Sequence, residues 1–273
     1  MIGGLARQAI RERARDPVFR SIASICEKYL RAYNNEDFYD FGKNGEAFLL
    51  RTTASLFSER PIVIWDVGAH HGHWALSARD QFPQASIHCF EIVPQIAQEL
   101  AGRLGSDPLT TVHNFGLSDA EAEHLVHLNA VHTSTNSIAP RVGGAYFGAD
   151  AETVVCRSST CDRIAAAFEP PMLLKIDVEG HEVAVLRGAR GLLASDARPI
   201  VIQFEYGETY IPSHATLKDV YDLLTPHDYA IGKLYPNHVR FKPYEYSDDN
   251  FRMGNFVAVR DAALRSRLEG RRA

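Results

Sequence analysis

From Pro61 onward, short apolar runs alternate with segments whose apolar residues recur at helical spacing, and that alternation admits few folds. Ile62 to Trp65, Ile87 to Phe90, Thr111 to Phe115, Met172 to Ile176 and Ile200 to Phe204 are each short enough for a strand, and all but Thr111 to Phe115 are mostly apolar. Helical stripes fall between most of them: Trp74, Ala78 and Phe82; Val183, Leu186 and Leu193; Leu217, Val220, Tyr221 and Leu224. Strands buried on both faces and separated by helices predict an α/β fold, a doubly wound and mostly parallel sheet with helices on both sides. In such a sheet, ligands bind at the carboxyl ends of the strands.

Three stretches depart from this rhythm. The first 60 residues read as helices, with Ile22, Ile25, Cys26, Tyr29, Leu30 and Tyr33 in one stripe, a break at Asn34-Asn35, and Phe48, Leu49, Thr52 and Leu56 in a second. We expect an N-terminal helical cap over residues 1–60. Residues 124–160 lack a helix; alternating segments at His124 to Asn129 and Thr153 to Arg157 flank a polar, glycine-rich loop from Thr133 to Gly148, which predicts an antiparallel insertion that closes over the site. The main domain then spans 61–260, with a strand at Phe256 to Val259, and 261–273 is a basic tail.

The net charge of −5 conceals an uneven distribution. Arg7, Arg11, Arg13, Arg15 and Arg20 against Glu12 and Asp16 give the first twenty residues +3. Arg260, Arg265, Arg267, Arg271 and Arg272 against Asp261 and Glu269 give the last fourteen +3, so the body between them carries −11. An acidic body argues against nucleic acid as a partner, whereas the basic ends leave open contact with an anionic membrane or protein. Self-association into a homo-oligomer is also left open. No apolar run approaches the roughly 20 residues that cross a bilayer, and Met1 to Ile10 is too short and too interrupted for a signal peptide, so a cytoplasmic location is expected. Cys26, Cys89, Cys156 and Cys161 form no CxxC pair and are expected to be reduced.

The chemistry concentrates at strand ends. Ile64-Trp65-Asp66-Val67-Gly68-Ala69-His70-His71-Gly72-His73-Trp74 reads as a buried strand, a glycine turn and a helix start. Histidine at 70 and 73 breaks the dinucleotide fingerprint, while Asp66, Gly68 and Gly72 suit S-adenosylmethionine, whose amino-acid end offers an ammonium and a carboxylate. The three histidines of this turn raise zinc, but no further ligand stands at zinc spacing. Twenty-five residues on, Glu91 ends the next strand, where a carboxylate reaches both ribose hydroxyls, and Asn114 and Leu117 follow at the adenine side. Strand alternation puts Lys175, Asp177 and Glu179 on one face at the end of another core strand, and Glu205 ends the next. Charges there are costly unless paired or used. They could take a proton from a hydroxyl or, as Asp177 with Glu205, hold Mg2+; His181 is a second candidate base, and Lys175 and Glu182 have structural pairing as the alternative role.

Asn44-Gly45-Glu46, Asp66-Val67-Gly68-Ala69, Phe90-Glu91 with Pro94, Leu117-Ser118-Asp119, Thr160-Cys161-Asp162 and, above all, Lys175-Ile176-Asp177-Val178-Glu179-Gly180-His181-Glu182 together resemble the FkbM family of S-adenosylmethionine-dependent methyltransferases, over roughly Asn44 to Val259. His70 and His71 depart from the small residue or Asn more usual there. The resemblance implies a class I, Rossmann-like methyltransferase fold and O-methylation of sugars or polyketide-like hydroxyls. It implies that S-adenosylmethionine contacts Glu46, Asp66, Gly68, Ala69, His70, Gly72, Glu91, Asn114, Leu117 and Asp177, with Asp177, Glu179, His181, Glu205 and Lys175 at the reaction centre. The expected acceptor is a small molecule or glycan bearing a sugar hydroxyl. Methylation of a peptide or amino-acid nitrogen, and cofactor binding without turnover, remain alternatives.

Overall fold

The computed structural model describes residues 4–129, 133–139 and 152–270, apart from the side chains of residues 5 and 135. Eight strands form one sheet: β1 Val63–Val67, β2 Ser86–Phe90, β3 Thr110–His113, β7 Leu173–Ile176, β8 Val201–Tyr206, β9 Ala230–Tyr235, β10 His238–Phe241 and β11 Gly254–Val259. Their order is β10-β9-β11-β8-β7-β1-β2-β3, parallel from β3 through β8, with β11 inserted antiparallel between β8 and β9. The mixed α/β sheet is thus the predicted one. Chain order reverses between β1 and β7, so their carboxyl ends open a crevice at the switch point.

Alternation along each strand builds two cores. On one face Val63, Trp65, Val67, Leu174, Ile176 and Phe204 pack against α6 Cys161–Ala167, α7 Glu182–Arg187, α8 Arg190–Ala194 and α9 Leu217–Leu224. On the other, Ile64, Ile87, Leu173 and Val201 pack against α3 Glu46–Phe57, α4 His73–Gln81, α5 Pro94–Leu104 and α10 Ala262–Leu268. Each fully buried Leu or Ile in these layers contributes about 1.5–3 kcal/mol.

Two sequence expectations change. The second N-terminal stripe is not a cap: Leu49 and Leu50 of α3 are buried in the core beside α10, because an amphipathic helix adjoining an apolar sheet face buries its stripe there. Within the first 60 residues, α1 Gly4–Glu12 and α2 Pro17–Tyr33 stand outside the cores, and α2 buries none of its residues. The second change concerns the tail, whose residues 262–268 form α10 with Leu264 and Leu268 buried.

A separate three-stranded sheet is formed by β4 Gly116–Leu117, β6 Thr153–Ser159 and β5 Ala122–His127, in which β5 and β6 pair antiparallel. Of the loop from Thr133, residues 133–139 are described, with Ser137 bridged to His127; 140–148 lie outside the described residues. No helix among the described residues is long and apolar enough to cross a membrane. All four cysteines are free thiols, with Cys26 exposed and the others buried.

Candidate active site

A cavity of about 820 Å3 opens over the carboxyl ends of β1, β7 and β8. Its floor is a polar row set by register. Asp66 lies opposite Lys175, and Lys175 opposite Gln203, on the strand face that carries α3 and α4. The Lys175 ammonium lies 3.2 Å from Asp66 Oδ1 and 3.3 Å from Asp177 Oδ2. Burial opposes that charge, but Asp66, Asp177 and Glu46 together hold the Lys175 pKa above its ordinary value. Gln203 donates from Nε2 to Glu46 Oε1 at 2.6 Å and accepts from Trp74 Nε1 at 3.3 Å. Asn44 completes the support of Glu46: its Oδ1 accepts the Glu46 N–H, and its Nδ2 donates to Glu46 Oε2 at 2.6 Å. Burial raises the Glu46 pKa against the pull of Lys175.

Asp66 itself is not a wall of the cavity. It is fully buried beneath it, committed to Lys175, with Oδ2 lacking a partner. The expected contact with a cofactor ammonium is therefore corrected: Asp66 anchors Lys175, and Glu46 and Asp177 are the carboxylates that reach the cavity at this end. Gly68 lines the cavity, but its glycine serves another purpose than ligand approach. At φ +81° a Cβ would sit 1.8 Å from Asp177 O, where the turns after β1 and β7 cross. The N–H groups of Gly68 and Ala69 both donate to Phe90 O, so neither faces a ligand carboxylate. Gly72 is off the wall too; its Cβ would strike Leu100 and Leu104, so it is a packing glycine.

At the opposite end, Glu91 is 5% exposed and lines the cavity. Its Oε2 accepts the His70 N–H and its Oε1 the Val93 N–H, both at 2.9 Å. Burial raises its pKa, and these two donors offset part of the rise. Beside it, Phe90, Ile92, Val93, Ile96, Leu117 and Val126 form an apolar wall. Leu117 is part of this wall. Asn114 is not: it is exposed and donates from Nδ2 to Glu91 O at 3.2 Å, bracing the turn from outside. Sequence reading missed Ile92, Val93 and Ile96, whose only signal was their position just after Glu91.

His70 lines the cavity in a left-handed conformation, φ +48°, with Nε2 2.9 Å from Thr133 Oγ1. Burial, with repulsion from His71 next, pushes its pKa down to about 4. Lys175, Asp177, Glu179, His181 and Glu205 also meet in this cavity, but not by strand alternation. β7 ends at Ile176, and Glu179 and Gly180 turn the chain at positive φ, so Glu179 enters from a loop rather than from a shared strand face. His181 Nε2 lies 2.8 Å from Ser118 Oγ, and burial followed by His124 pushes its pKa to about 4. A neutral imidazole so weakly basic, and already engaged, is a poor proton acceptor. Burial also lifts Glu205 well above the ordinary carboxylate range, and repulsion from Asp177, Glu179, Glu182 and Glu46 adds to it. Glu182 is fully buried under the turn and accepts the Val178 N–H at Oε1, and burial raises it to about 7; it holds the loop and is off the cavity wall.

Thr160-Cys161-Asp162 is structural as well: Thr160 caps α6, and Asp162 accepts the N–H groups of Gly191 and Leu192 at α8. Trp74, taken from sequence as core, is buried but also lines the cavity, with Lys175 Nζ 5.7 Å from its ring centroid. Asp37, Tyr39, Met253 and Asn255 complete the mouth, none of them signalled by a motif. Among the described residues no group of three or more His, Cys, Asp or Glu side chains is placed to hold a metal ion, and magnesium at Asp177 and Glu205 has no support.

Residues 66–231 match the family described as the methyltransferase FkbM domain. No curated protein matches the chain. Similar solved structures include a precorrin-6y C5,15-methyltransferase from Geobacter metallireducens, 13% identical with a TM-score of 0.41 over 79% of this chain and 87% of that one. Another is Aeropyrum pernix fibrillarin with natively bound S-adenosyl-L-methionine, 12% identical with a TM-score of 0.41 over 78% and 74%. A third, a SAM-dependent methyltransferase from Agrobacterium tumefaciens, is 9% identical with a TM-score of 0.44 over 79% and 61%.

Proposed function

Because the chain belongs to the FkbM methyltransferase domain family, we propose that it uses S-adenosylmethionine to methylate a sugar hydroxyl. The cofactor supplies a methyl group made electrophilic by its sulfonium. The donor set of the cavity fits it: Glu91, oriented by two backbone N–H groups, offers carboxylate oxygens to ribose hydroxyls, and the apolar wall from Ile92 to Val126 suits a purine. Glu46 and Asp177, beside Lys175, are the partners available to an ammonium.

The observation that carries the hydroxyl reading is Glu205. A hydroxyl must lose its proton during transfer, and the best acceptor has a pKa near the working pH. Glu205 lines the cavity, is lifted well above the ordinary carboxylate range, and has Asp177 and Glu179 as electrostatic neighbours that favour its taking a proton. Lys175 holds Asp177 in place, and exposed Tyr39 at the mouth offers a flat face against which a sugar ring can stack. Positioning of the acceptor oxygen supplies much of the remaining rate.

The test is incubation with S-adenosylmethionine and glycan, glycolipid and peptide extracts, read as mass gain of one methylene and located by fragmentation. An O-methyl sugar is the expected product; methylation confined to peptide nitrogen would replace the hydroxyl reading.

A further inference from the structure

The N-terminal helices expose a surface that the sheet does not use. Val18, Ile22, Ile25, Tyr29 and Tyr33 fall within one face of α2, and each is more than half exposed. The opposite face is tied to the body. Arg31 pairs with Glu27 and Asp37, both at 2.8 Å, Arg252 reaches Glu27 at 3.4 Å, and the Asp37 N–H donates to Met253 O. Asp37 and Met253 both line the cavity mouth, and Phe38 and Tyr39, which follow α2, are themselves exposed. Exposed apolar side chains therefore stand both on α2 and, at Tyr39, on the cavity wall.

Charge decides what covers that surface. Arg7 and Arg11 of α1, with Arg13, Arg15 and Arg20, make this end of the chain basic against an acidic body. An anionic bilayer neutralises them. The helix is too short to span, since 17 residues rise about 26 Å and no helix among the described residues meets the criteria for crossing. An amphipathic helix with arginines and interfacial tyrosines lies in the plane of the headgroups instead.

We propose that α1 and α2 form a membrane-surface anchor that seats the protein on an anionic bilayer with the cavity mouth at headgroup level. A consequence is that acceptors carried on lipids are favoured; that consequence alone rests on the proposed methyl transfer, whereas bilayer binding stands apart from it.

The experiment is co-sedimentation of the full chain with phosphatidylglycerol vesicles and with phosphatidylcholine vesicles at low and high salt. Exposed Cys26, on the same side of α2, also takes an environment-sensitive fluorophore, the other three cysteines being buried. Binding to phosphatidylglycerol, weakened by salt and by its replacement with phosphatidylcholine, is expected, with a blue shift at Cys26. Ile22→Ser with Tyr29→Ser lowers vesicle partition by about tenfold or more. Because α2 buries nothing in the body, the variant keeps its fold and its calorimetric affinity for S-adenosylmethionine. Absence of vesicle binding, or equal binding by the variant, overturns the proposal; a dimer dispersed by the variant without vesicle binding assigns the face to a second copy.

Discussion

Replacing Lys175 by Met tests the floor of the cavity most sharply. Lys175 is 4% exposed and is the ammonium shared by Asp66 and Asp177. Methionine keeps most of the volume and removes the charge, so the loss is electrostatic. Asp66 is left fully buried with neither oxygen partnered, since Oδ2 already has none, and Asp66, Asp177 and Glu46 then repel one another unscreened. Removing one partner of a buried pair costs about 3–5 kcal/mol. Urea unfolding at pH 7 measures it. In the variant, the folded-state pKa of Asp66 lies still further above its unfolded value. A carboxylate raised in this way takes up its proton more readily folded than unfolded, so the variant regains stability as pH falls from 7 toward 4. In the wild type the raised Lys175 offsets the penalty that raised Asp66 carries near neutrality, because the lysine gives up its contribution only above its unfolded value near 10.5. Adding Asp66→Asn to Lys175→Met should recover part of the deficit, giving a double variant more stable than the single one. A Lys175→Met loss under about 1 kcal/mol, independent of pH, would refute the reasoning.

Other outcomes follow from the same geometry. Glu205→Gln should lower kcat about 100-fold or more with cofactor affinity unchanged, and should flatten the rise of activity with pH that Glu205 ionisation gives the wild type. It should also stabilise the fold at neutral pH, because a carboxyl raised on folding penalises the folded state above its unfolded pKa near 4.5; the gain vanishes below that pH in unfolding titrations. Gly68→Ala places a Cβ 1.8 Å from Asp177 O at φ +81°, so about 3 kcal/mol or more of stability is lost in thermal or urea unfolding. His181→Gln should retain most of the rate in steady-state assays, since His181 holds Ser118 and titrates near 4; a loss as large as that of Glu205→Gln would return it to the role of base.

The sequence made the sheet legible because β1, β2, β7 and β8 are apolar on both faces, a pattern that few other folds produce. The strand-end carboxylates were legible for a related reason, since Glu91, Asp177 and Glu205 interrupt or follow apolar runs where burial would otherwise be costly. What periodicity could not show was whether a charge faces the cavity or lies beneath it. Asp66 and Asn114 carry the right chemistry at the right spacing, yet register pairs one with Lys175 and the turn directs the other to a backbone carbonyl. Tyr39 and Asn255 line the site from loops and strands distant in sequence, and Gln203 reaches it through Glu46, by contacts that no local pattern encodes. The α3 stripe looked like that of α2, and only the partner surface separates them: one meets the sheet and the other meets solvent.

The account turns on Glu91 holding S-adenosylmethionine against the apolar wall beside it. Calorimetric titration of wild type and Glu91→Ala with S-adenosylmethionine, and of wild type with NAD, tests this most directly. Binding of S-adenosylmethionine but not NAD by the wild type, and an affinity about 10- to 100-fold weaker in the folded variant, is predicted from the loss of charged hydrogen bonds to ribose. No binding by the wild type, tight binding of NAD, or an unchanged affinity in Glu91→Ala would contradict it.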